Sequence, residues 1–216
     1  WLSSVPAVLS RWRVDPKSAD MGAAGEWFKY NPAESKKLLA AAGYPNGLPV
    51  RYIFTNNIYG DTFNQIAEAV GGMLKEGGFN TQTVTQDYQR EYITPGTGTF
   101  FGSFEGVFFG LQTGYLDAHD YIFNMMHSKS TRNHAGISDP QLDAMIDKEG
   151  TTIDENERVK LYKDIERYVA DKVYYAPGAT GVAYQGGQEW LKNYCWNLGA
   201  YGYGTETFGK VWIDRT

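Results

Sequence analysis

The sequence is poor in cysteine: Cys195 stands alone among 216 residues, which excludes an intrachain disulfide and any metal site built on clustered thiolates. A single small hydrophobe of this kind needs no role beyond packing. No run of Lys and Arg exceeds two residues, and 25 acidic against 20 basic side chains leave a net charge of −5. Without a basic patch, no nucleic-acid partner is expected. No stretch approaches the ~20 consecutive apolar residues of a membrane-spanning helix. The opening Trp1-Leu2-Ser3-Ser4-Val5-Pro6 lacks the charged start and apolar centre of a signal peptide. The chain does not begin with Met, so a truncated or processed form is expected, and the missing leader says nothing about compartment.

Aromatics and glycine are plentiful, with 16 Tyr, 11 Phe, 6 Trp and 25 Gly. Aromatics fill large cores and glycines make turns, and the same composition lines pockets for peptides or sugars. With 42% hydrophobic residues the chain is long enough to bury the core of a substantial α/β domain.

Helix and strand signals then alternate. Residues 1–29, with three tryptophans and no clear period, read as an extended or irregular segment laid over another element. Asn31-Pro32-Ala33-Glu34 combines an N-cap, a first-turn proline and a glutamate, and predicts a helix ending at Gly43. Val50-Arg51-Tyr52-Ile53-Phe54-Thr55 has the β-branched and aromatic content of a strand. A second helix follows Asp61, with Phe63, Ile66, Ala67, Val70 and Leu74 on its expected buried stripe and Gly77-Gly78 ending it. Residues 80–86 alternate as a half-buried strand. Strand, helix and strand at this spacing make a βαβ unit, hence parallel pairing.

Residues 87–93 predict a short helix, and Pro95-Gly96-Thr97-Gly98 a loop; the glycine spacing there does not fit a dinucleotide fingerprint. Gly106-Val107-Phe108-Phe109-Gly110 is expected to be a buried strand, with residues 111–120 leaving its end as a polar, aromatic-flanked loop. Ligands of open α/β sheets sit at the carboxyl ends of strands. Two capped amphipathic helices follow, from Ser138-Asp139-Pro140 and from Asp154-Glu155-Asn156-Glu157, and Val173 to Ala176 reads as a closing strand.

These pieces, in this order, resemble the C-terminal half of the family-5 extracellular solute-binding proteins of ABC importers, the peptide, nickel and oligosaccharide class. Tyr30-Asn31-Pro32-Ala33-Glu34-Ser35-Lys36-Lys37-Leu38-Leu39 with Ala42-Gly43-Tyr44-Pro45 is similar to the family's helix and turn before the first strand of the second lobe. Leu74-Lys75-Glu76-Gly77-Gly78-Phe79 resembles its helix-to-strand step. Asn133, Asp139, Leu142, Asp143 and Ile146, then Glu157-Arg158, Leu161-Tyr162 and Ile165, resemble its late helical signature, and Tyr175-Ala176-Pro177 its returning strand.

The resemblance implies a periplasmic-binding-protein type II-like α/β lobe with parallel strands and covering helices. Residues 1–29 would join the lobes, 30–184 form the second lobe, and 185–216 be a Gly/aromatic-rich tail packing on a first lobe missing from this chain. It implies an extracytoplasmic, periplasmic or lipid-anchored protein, monomeric at full length, that is not an enzyme and needs no cofactor. Such a protein captures an oligosaccharide or peptide by hinge closure and presents the closed form to a membrane-embedded ABC permease.

Peptide receptors of the family carry a Gly-Trp-x-x-Asp-Tyr segment whose acidic residue pairs with the peptide amine. Here the stretch is Gly110-Leu111-Gln112-Thr113-Gly114-Tyr115, with leucine at the aromatic position and glycine at the acidic one. Asp117 is the next acidic residue and can substitute only if the loop is displaced; a neutral, hydroxyl-rich ligand is the more economical expectation. The expected ligand contacts are Phe109, Leu111, Gln112, Thr113, Tyr115 and Asp117, with Trp27 as an outlying candidate.

Other chemistries find less support. His119, His127 and His134 lack zinc-ligand spacing, and no serine sits in a Gly-x-Ser-x-Gly elbow. Asp139, Asp143 and Asp147 lie a turn apart on a capped helix, where solvated carboxylates are ordinary. Asp117 with Asp120 is the one pair that fits a glycoside hydrolase, the rival reading. A purely structural lobe, the third, would present an exposed apolar patch in place of a cleft.

Overall fold

The computed structural model describes residues 5–6, 9–112, 114–178, 187–194 and 209–214. Its sheet is built on β1 (Leu48–Thr55), which pairs in parallel with β2 (Phe79–Gln86) along its whole length, from Leu48 opposite Phe79 to Thr55 opposite Gln86. The short β3 (Val107–Phe108) pairs in parallel with the other edge of β1, Tyr52 opposite Val107 and Ile53 opposite Phe108, so the strand order is β2-β1-β3. All three carboxyl ends therefore point the same way.

The first helix, α1 (Pro32–Ala41), starts as the capping pattern dictates, with the Asn31 side chain accepting from the Glu34 N–H. The βαβ crossover is α2 (Asp61–Glu76). Tyr52 and Phe54 project from β1 onto Phe63 and Ala67 of α2, and the buried Tyr52 hydroxyl donates to the Ala67 carbonyl at 2.7 Å. Burial pushes that phenol up to about 12. The buried stripe of α2 is Phe63, Ala67 and Gly71, whereas Ile66, expected there, is 49% exposed. The reason is the Tyr52 ring, which lies against Gly71 so closely that a Cβ there would sit 3.1 Å from it. A groove of small residues at four-residue steps receives the ring and turns Ile66 outward.

Three helices build a second core: α3 (Ala118–Met126), α4 (Pro140–Thr151) and α5 (Glu155–Lys172). Tyr121, Ile122, Leu142, Ile146, Tyr162 and Ile165 are buried together there with Val5 and Trp12. Each such side chain contributes about 1.5–3 kcal/mol relative to exposure. Residues 111–120 are expected as loop with no helix at α3; the loop instead ends at Asp117, whose side chain caps α3 by accepting from the His119 N–H. The segment read as irregular contains a 3-10 stretch, Ala19–Phe28, broken at Gly22 (φ 65°), and Val14, Met21 and Ala24 pack on Ala170 of α5. A 3-10 stretch has no 3.6-residue period to betray it.

The strand expected at 173–176 does not form. Val173 takes a left-handed conformation (φ 53°) that closes α5, and Tyr174 and Tyr175 reach back with their hydroxyls to Asp139 and to the Met125 carbonyl. In the tail, Leu191–Lys192 (β4) pairs antiparallel with Trp212–Ile213 (β5). Cys195 lies outside the described residues.

The caps are testable. Asp154 accepts from the Glu157 N–H at 2.9 Å and starts α5. Asp154→Ala is expected to cost about 1 kcal/mol in urea unfolding, with the slope of the transition unchanged.

Candidate functional site

The carboxyl ends of the strands are stitched by side chains. Asp87, just after β2, accepts from the N–H groups of Gln89 and Arg90 and so opens the π-helical turn Tyr88–Tyr92. Its second oxygen accepts from Asn57 Nδ2 at 2.9 Å, and Asn57 Oδ1 accepts from the Tyr88 N–H at 3.0 Å. The Arg90 N–H is the chief cause holding the Asp87 carboxyl below its usual range. The exits of β1 and β2 are thereby joined.

Aromatic rings line the same edge. Phe109 stacks on Phe63 at 5.4 Å, Phe63 meets Tyr59 at 4.9 Å, and Tyr59 meets Tyr88 at 5.9 Å. Tyr88 meets Tyr92 at 5.4 Å, and Tyr92 stacks on Phe108 of β3 at 5.2 Å. The chain of rings runs from one side of β3 round to the other. Such contacts fix ring orientation beyond what area burial supplies, and they brace a surface of neutral, polarisable faces.

Of the expected site residues, Phe109 joins this cluster while its N–H donates to the Ile53 carbonyl at 2.8 Å, extending the pairing of β3. Leu111, at 55% exposed, and Gln112 stand free on the loop that follows. Thr113 lies outside the described residues. Tyr115 is half-buried: it packs edge-on against Tyr121 at 5.1 Å, and its hydroxyl accepts from Arg132 Nη1 at 3.3 Å. Trp27 is exposed on the 3-10 stretch that packs on α5.

Asp117 is committed on two sides, as the cap of α3 and as a partner of Arg158 Nη2 at 3.0 Å. Partial burial raises its pKa, but the His119 N–H and the Arg158 guanidinium outweigh this and hold it below the usual carboxylate range. An acid catalyst needs a raised carboxyl, which Asp117 does not supply. Arg158 also binds the fully buried Glu149 through Nε at 3.0 Å and lies over the Trp12 ring at 5.1 Å. The other Glu149 oxygen meets His119 Nδ1 at 2.5 Å. Four residues from three helices thus anchor the far end of loop 109–117.

The histidines serve separate purposes. Buried His127 accepts from the Lys129 N–H at Nδ1 and so presents Nε2–H to Asp147 at 3.2 Å. His134 lies against the Phe100 ring at 4.4 Å. Among the described residues no three His, Cys, Asp or Glu side chains converge on a metal position.

A parallel α/β sheet with covering helices and a braced, aromatic-lined carboxyl edge defines one lobe of a type II-like periplasmic binding protein. The model of the bacterial extracellular solute-binding proteins, family 5, middle region, matches residues 4–133, and the chain belongs to that family. Heme-binding protein A of Haemophilus influenzae is 25% identical over 192 residues, covering 85% of this chain and 34% of that protein. The periplasmic oligopeptide-binding protein OppA of Escherichia coli is 29% identical over 147 residues, 66% of this chain and 26% of that protein. The structure of the periplasmic binding protein DppA from Helicobacter pylori, in complex with peptide STSA, superposes with a TM-score of 0.63 over 87% of this chain and 35% of that one. At 18% identity this last likeness is one of fold. The chain spans a quarter to about a third of the length of these relatives.

The order of residues along the chain points neither to the ring chain nor to the Asp117–Arg158–Glu149–His119 network. The Asn57–Asp87 bridge left no signal either, since it joins residues 30 apart. Asp117 followed by Ala118, Tyr121, Ile122 and Met126 did carry a helical period.

Proposed function

We propose that this chain is the second lobe of the extracytoplasmic substrate-binding component of an ABC importer, and that it captures a peptide or an oligosaccharide by closing against a first lobe. The observation that carries the reading is the exposed Leu111–Gln112 loop, set at the carboxyl edge of a parallel sheet and braced at both ends. A ligand that touches both lobes only when they are closed shifts the population toward the closed form, which a membrane-embedded permease then reads. No cofactor enters this cycle and the ligand leaves unchanged.

The names of the relatives favour a peptide: OppA binds oligopeptides, and DppA was solved with a tetrapeptide. The loop itself favours an oligosaccharide as the second reading, because Gly114 stands at the family's acidic position and Asp117 is held by Arg158. A peptide bound here leaves its amine to be matched outside loop 109–117.

A thermal-shift screen of the full-length protein tests the proposal. Di- and tripeptides, cello- and xylo-oligosaccharides and nickel are the probes, since a ligand specific to the folded state stabilises it by about 2.7 kcal/mol at a hundredfold excess over Kd. A raised midpoint with one class, without consumption of the ligand, supports the receptor; no shift with any, or loss of the ligand on incubation, overturns it. Gln112→Ala is expected to weaken binding of the responding ligand about tenfold, or ~1.4 kcal/mol, with an unchanged melting midpoint. Tyr115→Phe is the informative partner, because alanine there would also strip packing from the helical core. Unchanged affinity in both variants would remove the loop from the site.

A further inference from the structure

The sheet has one long open edge. β2 pairs with β1 residue for residue, without a bulge, and no described strand lies on its other side. The Leu48 N–H donates to the Gly78 carbonyl at 3.1 Å, which fixes the phase of the ladder. In a parallel pair, successive residues turn their N–H and C=O groups alternately toward and away from the partner strand. Asn80, Gln82, Val84 and Gln86 therefore face β1, and Thr81, Thr83 and Thr85 turn their backbone groups outward. Among the described residues nothing bonds to those outward groups.

Open edges are ordinarily blunted by charged side chains, a proline or a bulge. β2 has none of these: it reads Phe-Asn-Thr-Gln-Thr-Val-Thr-Gln, with Asn80, Gln82, Thr83 and Thr85 exposed. The strand is also complementary to itself. Laid antiparallel on a second copy about a two-fold axis through Thr83, it sets Thr83 opposite Thr83, Thr81 opposite Thr85 and Gln82 opposite Val84. The facing threonines are the residues with free backbone groups, so each meets its counterpart as a hydrogen-bonded pair that exchanges both bonds. Thr–Thr pairs are favourable across strands, and no like charges are opposed. The ends match too. Exposed Lys36 lies against Gly78 at the start of β2, and Asp87 follows its end, where Arg90 makes only a long, exposed contact at 3.8 Å. Antiparallel pairing brings Lys36 of each copy to the Asp87 end of the other.

We propose that β2 is a dimerisation edge: two copies of this chain pair their β2 strands antiparallel about Thr83 and join their three-stranded sheets into one. Because the axis is two-fold, the contact closes on itself and leaves no β2 edge from which a fibre could grow. A single pair of strands buries little area, so the association is weak and reversible. The family resemblance implies a monomer, and the open edge departs from it. The dimer does not depend on which ligand the lobe takes.

Sedimentation equilibrium of the full-length protein, from about 1 to 500 µM, is expected to show a monomer–dimer transition. Thr83→Pro removes the outward N–H and leaves the β1–β2 ladder whole, and is expected to raise the dissociation constant about tenfold by deleting the bonds at the axis. Thr83→Lys, which opposes two ammonium groups there, should weaken the dimer severalfold. Oxidation of Thr83→Cys is expected to cross-link the copies, whose Cα atoms would lie about 5.5 Å apart. Thr81→Cys should not cross-link, since its counterpart is Thr85. Hydrogen exchange of the unsubstituted protein reads the same edge without a variant: the segment 79–86 is expected to gain protection above the transition and lose it below. A monomer throughout, a dimer indifferent to both Thr83→Pro and Thr83→Lys, cross-linking by Thr81→Cys in place of Thr83→Cys, or protection of 79–86 that does not change with concentration overturns the proposal.

Discussion

Glu149→Ala is expected to destabilise the protein by about 3–5 kcal/mol, the range for removing one partner of a buried ion pair, measured by urea unfolding of the full-length protein. The Glu149 side chain is fully buried, and its two oxygens answer His119 and Arg158. Without it, Arg158 keeps Asp117 alone and the His119 imidazole loses its acceptor. Glu149→Gln keeps the volume and one acceptor, and should lose roughly half as much. Replacing Glu149 by Leu and Arg158 by Met together is expected to cost less than the sum of the single changes, because neither member of that pair is then left facing the other's empty place, and Asp117, which also loses Arg158, is half exposed to water. Strict additivity would show that the pair is not coupled.

The same network gives a pH signature. The hydrogen bond to Glu149 is the main cause raising the His119 pKa above its ordinary value, with burial opposing it and the Glu149, Asp120 and Asp117 charges assisting. A histidine whose folded value lies above its unfolded one contributes stability fully below the unfolded pKa of ~6.5, and loses it as pH rises through the folded value. Glu149→Gln should flatten that fall in stability above pH ~6.5. Because Asp117 ends the loop proposed to meet the ligand, the variant should also loosen Leu111 and Gln112, read as faster amide exchange there.

The parts of this architecture legible in the sequence were those specified by neighbours along the chain. Asn31, Asp139 and Asp154 each make the capping bonds their patterns promise, and the parallel βαβ unit forms at the spacing read for it. Position 66 was misread because the turn of α2 is set by the Tyr52 ring seated on Gly71, a contact from a different element. Val173 looked like the start of a strand by its side chain, but its backbone ends α5. Of the proposed site, Phe109, Leu111 and Gln112 are expected from the sequence because they follow a strand. The rings that brace them come from Tyr59, Phe63, Tyr88 and Tyr92, which the chain order does not bring together. Sequence order thus showed where the loop is, and only packing shows what holds it.

What holds it at the near end is a glycine, which gives the second large effect. Gly106 has φ +113°, a conformation that side chains rarely adopt, and a Cβ there would lie 2.3 Å from the Arg51 carbonyl oxygen of β1. Gly106→Ala must therefore strain the backbone, at about 1–3 kcal/mol, and also push β3 off β1. β3 is two residues long, held to β1 at Tyr52–Val107 and Ile53–Phe108, so it gives way more easily than the full-length pairing of β1 with β2. The expected result is local: ligand affinity falls by about a hundredfold or more, ~2.7 kcal/mol, and the Phe109 N–H, which donates to Ile53, loses its exchange protection. The β1–β2 amides stay protected. Gly114→Ala is the control in the same loop, since a Cβ there meets nothing within 4 Å, and it should leave stability and protection unchanged. If Gly106→Ala keeps Phe109 protected and the ligand bound, then the docking of β3 on β1 does not position the loop, and the site must be sought on another edge of the lobe.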